Sequence, residues 1–318
     1  MARPRLIYAS ATSGVHDQRW IDALESLGFA VDARMVASGQ GPLTVDDSDE
    51  ILAIVAGPLT TITRHLLPTD VPVIGLSWGF DLQQGEDLTW LPALDGLIVD
   101  TEHTRSIAIQ AGVEASRVVV VPWGIDLDRI AGITAAEVPA APSGVPVVLS
   151  ARAHESIYRI EDILRGFAAA AVPGARLIVA HGGSRTASLR QLAADLGIDA
   201  VFTGTLDEDA LVSLIKRADV YVTASEVDGT SVTMLQAMAS GARVVASDTP
   251  GNREWIMPGR TGWIFTTGDV AGLAAALTAA LADDTATVRE AAQAEVAVRA
   301  DWKANVARLS RMLPISLD

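Results

Sequence analysis

VYVTASEVDGTSVTMLQAMASG, Val220–Gly241, is the stretch whose reading decides the fold. It opens as a short β-branched strand that ends at Thr223. A loop of small residues follows, with the turn pair Asp228-Gly229 and then Thr230-Ser231. From near Val232 the spacing predicts a helix, stopped by Gly241. Strand, small-residue loop and helix N-terminus is the geometry that offers backbone N–H groups to a phosphate. Gly229, Thr230, Ser231 and Val232 are the candidates for that backbone. Asp228 stands at the loop entrance and Gln236 about one turn inside the helix, where either could hydrogen-bond the hydroxyls of a sugar or ribose. Each part also has a plain structural use. Asp-Gly is a common turn, and Thr233 with Gln236 fits a capping box.

Working outward, the same alternation of short apolar runs and amphipathic stretches fills the C-terminal half. Strands are expected at Val145–Ser150, Arg176–Ala180, Ala200–Thr203, Val220–Thr223 and Arg243–Ala246. Helices fall near Ile160–Ala170, Ser188–Leu196, Glu208–Arg217 and Val232–Ala239, and the tail from Val270 reads as helical to about Leu313. The N-terminal half shows the pattern again. Leu6–Ser10, Ala30–Arg34, Ile51–Ala56, Val73–Ser77, Gly96–Val99 and Val118–Val121 read as strands, and Asp17–Leu27 as a helix. Continuous apolar strands separated by helices mean parallel sheets covered on both faces. Ala131–Gly144 interrupts the pattern without periodicity and reads as a linker. The expected fold is α/β, two doubly wound Rossmann-like domains: residues 1–130, a linker at 131–144, and 145–300, with a C-terminal helix at 301–318. In such sheets ligands bind at the carboxyl ends of the strands.

Composition agrees with two globular domains: 318 residues, 49% hydrophobic and 20% charged. There is no cysteine, which excludes disulfides and thiolate metal sites. The net charge of −15 disfavours nucleic acid and anionic lipid as partners. Met1-Ala-Arg-Pro-Arg runs into an apolar stretch too short for a secretory core. The longest apolar stretch, Val270–Ala282, falls short of the roughly 20 residues that span a bilayer. A cytoplasmic protein without a transmembrane segment is expected.

Three further segments carry candidate chemistry. In LSARAHESIYR, Leu149–Arg159, Arg152 and Arg159 follow a strand end, and guanidinium groups suit a diphosphate because they offer fixed paired donors. ASATSGVHDQRW, Ala9–Trp20, follows the first strand with Gly14 and His16. It lacks the three glycines of a dinucleotide fingerprint and any P-loop lysine. Its small residues still let a ligand approach the backbone. His16 could act as a base or donor near neutral pH, or simply cap or pack its helix. Two Trp-Gly turns, Ser77–Asp81 with Trp78, and Pro122–Asp126 with Trp123, end strands and suit packing around a ligand or an interdomain seam. His65 reads as solvated, and His103, His154 and His181 show no metal spacing. The acid cluster Asp46–Glu50 reads as a solvated loop.

Together these residues resemble the large group 1 family of retaining glycosyltransferases with the GT-B fold, in a branch carrying HDQRW and DGTSV segments. VVVVPWGID at Val118–Asp126 is similar to that family's VIPNGVD segment. Arg152 and Arg159 occupy the places of its basic pair. His181-Gly182-Gly183 resembles its GDG turn, and Val201–Leu206 its base-reading loop. The family signature is Glu, seven residues, Glu; Asp228 and Gln236 hold those positions here. The resemblance implies a nucleoside diphosphate sugar donor held by the C-terminal domain through Arg152, Arg159, Thr205, Leu206 and the Gly229–Val232 backbone. Asp228 would position the sugar, Gln236 would meet the ribose, and Gly14 would approach the donor. It implies an acceptor on the N-terminal domain near His16, Trp78 and Asp81, a final helix at Trp302–Leu313 returning to that domain, no obligatory metal and no cofactor beyond the donor. A nucleotide-sugar epimerase shares this architecture. A degenerate sugar-nucleotide-binding partner would explain Gln236. A pyridoxal-dependent phosphorylase is disfavoured, because neither lysine, Lys216 nor Lys303, lies at a promising strand end.

Overall fold

The computed structural model describes residues 3–309 apart from 12, 37–42, 44, 46–49, 59–69, 83–86 and 137–143. The chain divides into two compact units, Met1–Trp123 with the chain from Lys303, and Gly124–Trp302.

The first unit holds β1 (Arg5–Ser10), α1 (Val15–Ser26), β2 (Ala30–Met35), β3 (Ile51–Ala56), β4 (Val73–Leu76), β5 (Gly96–Val99), α2 (Glu102–Gln110) and β6 (Val118–Val120). All its strand pairs are parallel, in the order β2-β1-β3-β4-β5-β6. Ile7, Ile54, Val73, Leu97 and Val99 are buried in one core cluster, as expected of apolar runs covered on both faces. Thr101 caps α2 by accepting the Thr104 N–H at 3.0 Å.

The second unit runs through α3 (Leu127–Gly132), β7 (Val147–Ser150), α4 (Ile160–Ala170), β8 (Arg176–Ala180), α5 (Thr186–Asp195), β9 (Ala200–Gly204), α6 (Glu208–Arg217), β10 (Val220–Thr223), α7 (Val232–Ala239), β11 (Arg243–Ser247), α8 (Pro250–Arg253), β12 (Trp263–Phe265), α9 (Val270–Ala282) and α10 (Thr287–Arg299). A last helix, α11 (Trp302–Leu309), begins at the boundary. The parallel sheet has the order β12-β11-β10-β7-β8-β9. Alternate strand residues feed two separate cores. Leu149, Ile178, Tyr221 and Val244 pack with α6, α7 and α10. Val148, Val179, Val222 and Val245 pack with α4, α5 and α9. Small residues bring α4 and α9 close: a Cβ on Gly166 would lie 2.6 Å from Leu273 Cγ.

The two doubly wound sheets match the sequence expectation, with local corrections. The boundary falls at Trp123/Gly124 rather than residue 130, because α3 is tied to the second unit: Arg129 pairs with Glu208 at 2.6 Å and Asp209 at 2.7 Å. The start of the expected linker is also held there. Ser213 Oγ donates to Thr134 O at 2.7 Å and Ala136 N to Ser213 O at 3.0 Å. The helical tail is three helices, with breaks after Ala282 and Arg299. β12 is unexpected, being only three residues long after a Gly-rich turn. His65, most of Asp46–Glu50 and the tail beyond Leu309 lie outside the described residues. Among the described residues no helix is long and apolar enough to cross a membrane. Val270–Ala282 buries its leucines in the core.

Candidate functional site

Strand order places the first candidate site. In the second sheet β7 lies between β8 and β10, so the connections leave β7 and β10 in opposite directions and open a crevice at their carboxyl ends. Arg152 follows β7 and Asp228 follows β10. They meet there: Arg152 Nη2 lies 2.9 Å from Asp228 Oδ2, with the side chains 14% and 13% exposed. Arg152 Nη1 donates to Ser231 Oγ at 3.0 Å, and its guanidinium carbon stands 4.4 Å from the Tyr158 ring centroid. Burial works against the Arg152 cation, but the Asp228 charge beside it keeps it protonated. Burial pushes the Asp228 carboxyl up, and Arg152 pulls the other way.

Ser231 is the N-cap of α7 and accepts the Met234 N–H at 3.4 Å. The expected capping box of Thr233 and Gln236 is therefore not the cap. The Ser231 hydroxyl binds both the helix start and Arg152, which sets guanidinium and positive helix end side by side. Gly229, Thr230 and Val232 complete this turn. Thr230 is buried. Gly251 lets α8 close over the turn, since a Cβ there would lie 2.6 Å from Asp228 O.

Gln236 is buried, and its Nε2 donates to Glu208 Oε1 at 3.4 Å. Its amide is thus directed at α6. Glu208, which carries Arg129 as well, escapes a reading based on spacing because it lies 28 positions away.

Arg159 adopts the left-handed conformation, φ 47°, between a 3₁₀ turn and α4. Its Nε donates to Asp162 at 2.6 Å and its Nη1 to Glu226 at 2.6 Å. Glu226 N also donates to Ile157 O at 2.8 Å. The two loops are therefore zipped by two Arg–acid pairs, and Glu226 is a second unforeseen member. Its only sequence signal is its place two residues before Asp228.

The loop after β8 is bolted by His154, which is fully buried. His154 Nδ1 lies 2.8 Å from Thr186 Oγ1 and Nε2 3.2 Å from Ala180 O. Burial holds its pKa below the ordinary value. His181 sits at φ 76° with its N–H donating to Gly204 O at 2.8 Å. Burial, then the Arg152 charge, lowers its pKa too. Gly183 is required, since a Cβ would lie 2.8 Å from His154 O. Thr205 is exposed after β9, whereas Leu206 packs on the core. Among the described residues no cluster of three His, Asp or Glu side chains could hold a metal.

The remaining candidates belong to the first unit. His16 is exposed at the start of α1, its ring 4.7 Å from Trp123 and 5.4 Å from Trp78. Gly14 N donates to Asp17 Oδ2 at 2.8 Å, and Asp17 also accepts the Tyr8 hydroxyl at 3.0 Å. Asp81 accepts from Ser77 Oγ at 2.6 Å and Trp78 N at 3.0 Å, closing its own turn. These bonds shape the Trp78 loop.

A family profile described as glycosyl transferases group 1 matches residues 134–297, just over half of the chain. The chain belongs to this family. Among relatives of this glycosyltransferase family member, sulfoquinovosyl transferase SQD2 of Arabidopsis thaliana is 33% identical over 142 residues, 43% of this chain and 28% of that protein. Phosphatidyl-myo-inositol mannosyltransferase of Mycobacterium leprae is 35% identical over 139 residues, 43% of this chain and 36% of that protein. These matches thus span about a third of each relative's length. Among solved structures, Anabaena Alr3699/HepE in complex with UDP aligns with TM-score 0.79 at 17% identity, covering 98% of this chain and 99% of that one. Sucrose-phosphate synthase from Thermosynechococcus elongatus aligns with TM-score 0.79 at 17% identity, covering 98% of both. These structural likenesses show that the group 1 chain has the GT-B fold.

Proposed function

We propose that the protein is a retaining glycosyltransferase that moves a sugar from a nucleoside diphosphate sugar to an acceptor hydroxyl without an obligatory metal. The carrying observation is Arg152, held at the switch point of the second sheet against Ser231 and the α7 N-terminus. Charge develops on the departing diphosphate as the glycosidic bond breaks. A fixed guanidinium beside a helix N-terminus stabilises that charge without reorganisation, and such electrostatic terms are usually the largest in catalysis. Asp228, on the other side of Arg152, is the group for the donor sugar. Arg159, at the start of α4 and held by Asp162 and Glu226, is the second guanidinium for the diphosphate. The HepE structures with UDP and with UDP-glucose support a donor of this chemistry. His16, Trp78 and the first unit serve the acceptor.

The test is a thermal-shift panel of UDP-, GDP- and dTDP-sugars, followed by product analysis. One donor raises the melting temperature; at 100 times its Kd the gain is about 2.7 kcal/mol. Arg152→Ala and Arg159→Ala each weaken that donor. Turnover survives EDTA, and the new glycosidic bond keeps the donor's anomeric configuration. A chelation-sensitive activity restored by Mg²⁺ overturns the metal-free account, and an inverted product overturns retention. Donor binding with no transfer or release makes the protein a degenerate binder, and recovery of an altered nucleotide sugar makes it an epimerase.

A further inference from the structure

Aromatic rings from three separate places in the first unit converge on one spot. Trp123, after β6, lies 5.8 Å from Trp20 of α1 and 6.1 Å from Trp78, after β4. His16 bridges Trp78 and Trp123. Phe80 extends the cluster, 6.4 Å from Trp78. Arg19 lies 5.5 Å from the Trp123 ring centroid. The base is buried, Trp20 and Trp123 being 2% and 5% exposed, but the outer edge is open, with Phe80 49% exposed. A hydrophobic core needs no such exposed ring, and clustered aromatics at the surface mark recognition sites.

The chemistry of the cluster selects its occupant. Adjacent rings stand at 54–79° to one another, so they form a corner rather than a long flat stripe. An acyl chain needs a continuous apolar channel, which a corner containing His16 and Arg19 does not supply. A sugar ring has an apolar C–H face, which suits the negative face of an indole, and hydroxyls around its rim. Trp78 Nε1 is buried and has no acceptor among the described residues. A ligand hydroxyl at that point would supply the missing acceptor.

We infer that Trp78 and Phe80, backed by the buried Trp123, form a platform that stacks a pyranose ring, so that the acceptor hydroxyl is carried by a carbohydrate. The acceptor role rests on the transferase reading, whereas ring binding can be measured without it. Saturation-transfer NMR on the full chain, with methyl α-glucopyranoside, methyl α-mannopyranoside, methyl α-galactopyranoside and maltose as probes, reads the contact directly.

At least one probe receives saturation at the protons of one ring face. Phe80→Ala, altering an exposed ring, weakens that probe about threefold. Trp78→Leu, which keeps apolar bulk, weakens it about tenfold. Trp90→Phe, outside the cluster, leaves it unchanged. No pyranoside signal, or one insensitive to both variants, overturns the platform. So does octyl β-glucoside bound through its alkyl protons alone. Glycoside binding that Trp78→Leu removes, in a protein that turns over no donor, upholds the platform and sinks the transferase reading. Donor turnover with no glycoside bound sinks the platform alone.

Discussion

The two sheets present opposite chemistry at the same kind of edge. After β7 and β10, the ends of the second sheet are ionic: Arg152 with Asp228, and Arg159 with Glu226. After β4 and β6, the first sheet offers Trp78 and Trp123, and His16 joins them from α1. A parallel sheet delivers loops to one edge whatever the ligand, so the fold fixes where binding occurs but not what is bound. The difference lies in the few residues just past each strand. In the proposed reading the ionic edge takes the charged diphosphate and the aromatic edge a neutral ring.

Breaking the ionic edge has the largest expected effect. Arg152→Ala leaves Asp228 buried without its cation, which costs about 3–5 kcal/mol. Removing the acid as well, in Arg152→Ala/Asp228→Asn, restores most of that stability in denaturant melts but not donor binding. If the double variant is as unstable as the single one, the pair is not the source of the loss.

His154→Ala comes next. It deprives Thr186 and Ala180 O of their partner and opens a cavity, at about 2–3 kcal/mol by the same measurement. The pH dependence has a definite sign. The folded-state pKa of His154 lies below its ordinary 6.5, as does that of His181, so protonation favours the unfolded chain. Their contribution is complete above 6.5 and is lost as pH falls through the lowered folded values. The melting temperature drops on acidification below 6.5, with a shallower slope in His154→Gln; an unchanged slope argues against His154 as a source.

Gln236→Glu is expected to cost about 1–2 kcal/mol, because it sets a second carboxylate against Glu208. Glu208→Gln in the same chain recovers it. From spacing alone, the same change would keep or tighten donor binding through a stronger acceptor for the ribose. Donor titrations of Gln236→Glu with and without Glu208→Gln separate the two effects. Glu226→Gln is the mildest, below about 1 kcal/mol in stability, since Glu226 and Arg159 are 47% and 29% exposed. Its effect shows instead as a weaker donor titration, Arg159 being released from the loop.

The fold was legible because each strand is a short apolar run bounded by turn residues, and β-αβ alternation has few packed solutions. Arg152 and Asp228 were legible as members of strand-end loops. Their contact was not, since 76 positions separate them in the chain and only the strand order brings β7 beside β10. Glu226, Glu208 and His154 were hidden for the same reason: each owes its role to a partner on another element. The spacing marks Ser231 for its backbone, and its hydroxyl's grip on Arg152 follows only from the fold. Trp78, Trp123 and His16 were visible singly, but nothing in their spacing shows that their rings touch.

The chain passes between units at Trp123/Gly124 and again at Trp302/Lys303. These points are stitched together inside the second unit. Ile125 N donates to Ala300 O at 2.8 Å and Trp302 N to Ile125 O at 3.1 Å. Gly124 is bare where a Cβ would lie 2.6 Å from Trp302 Cα. The second unit is therefore an inserted module whose entry and exit meet at a clasp. Such a module is suited to excision as Gly124–Trp302, or to circular permutation by a short bridge across the clasp with new ends opened in a surface turn.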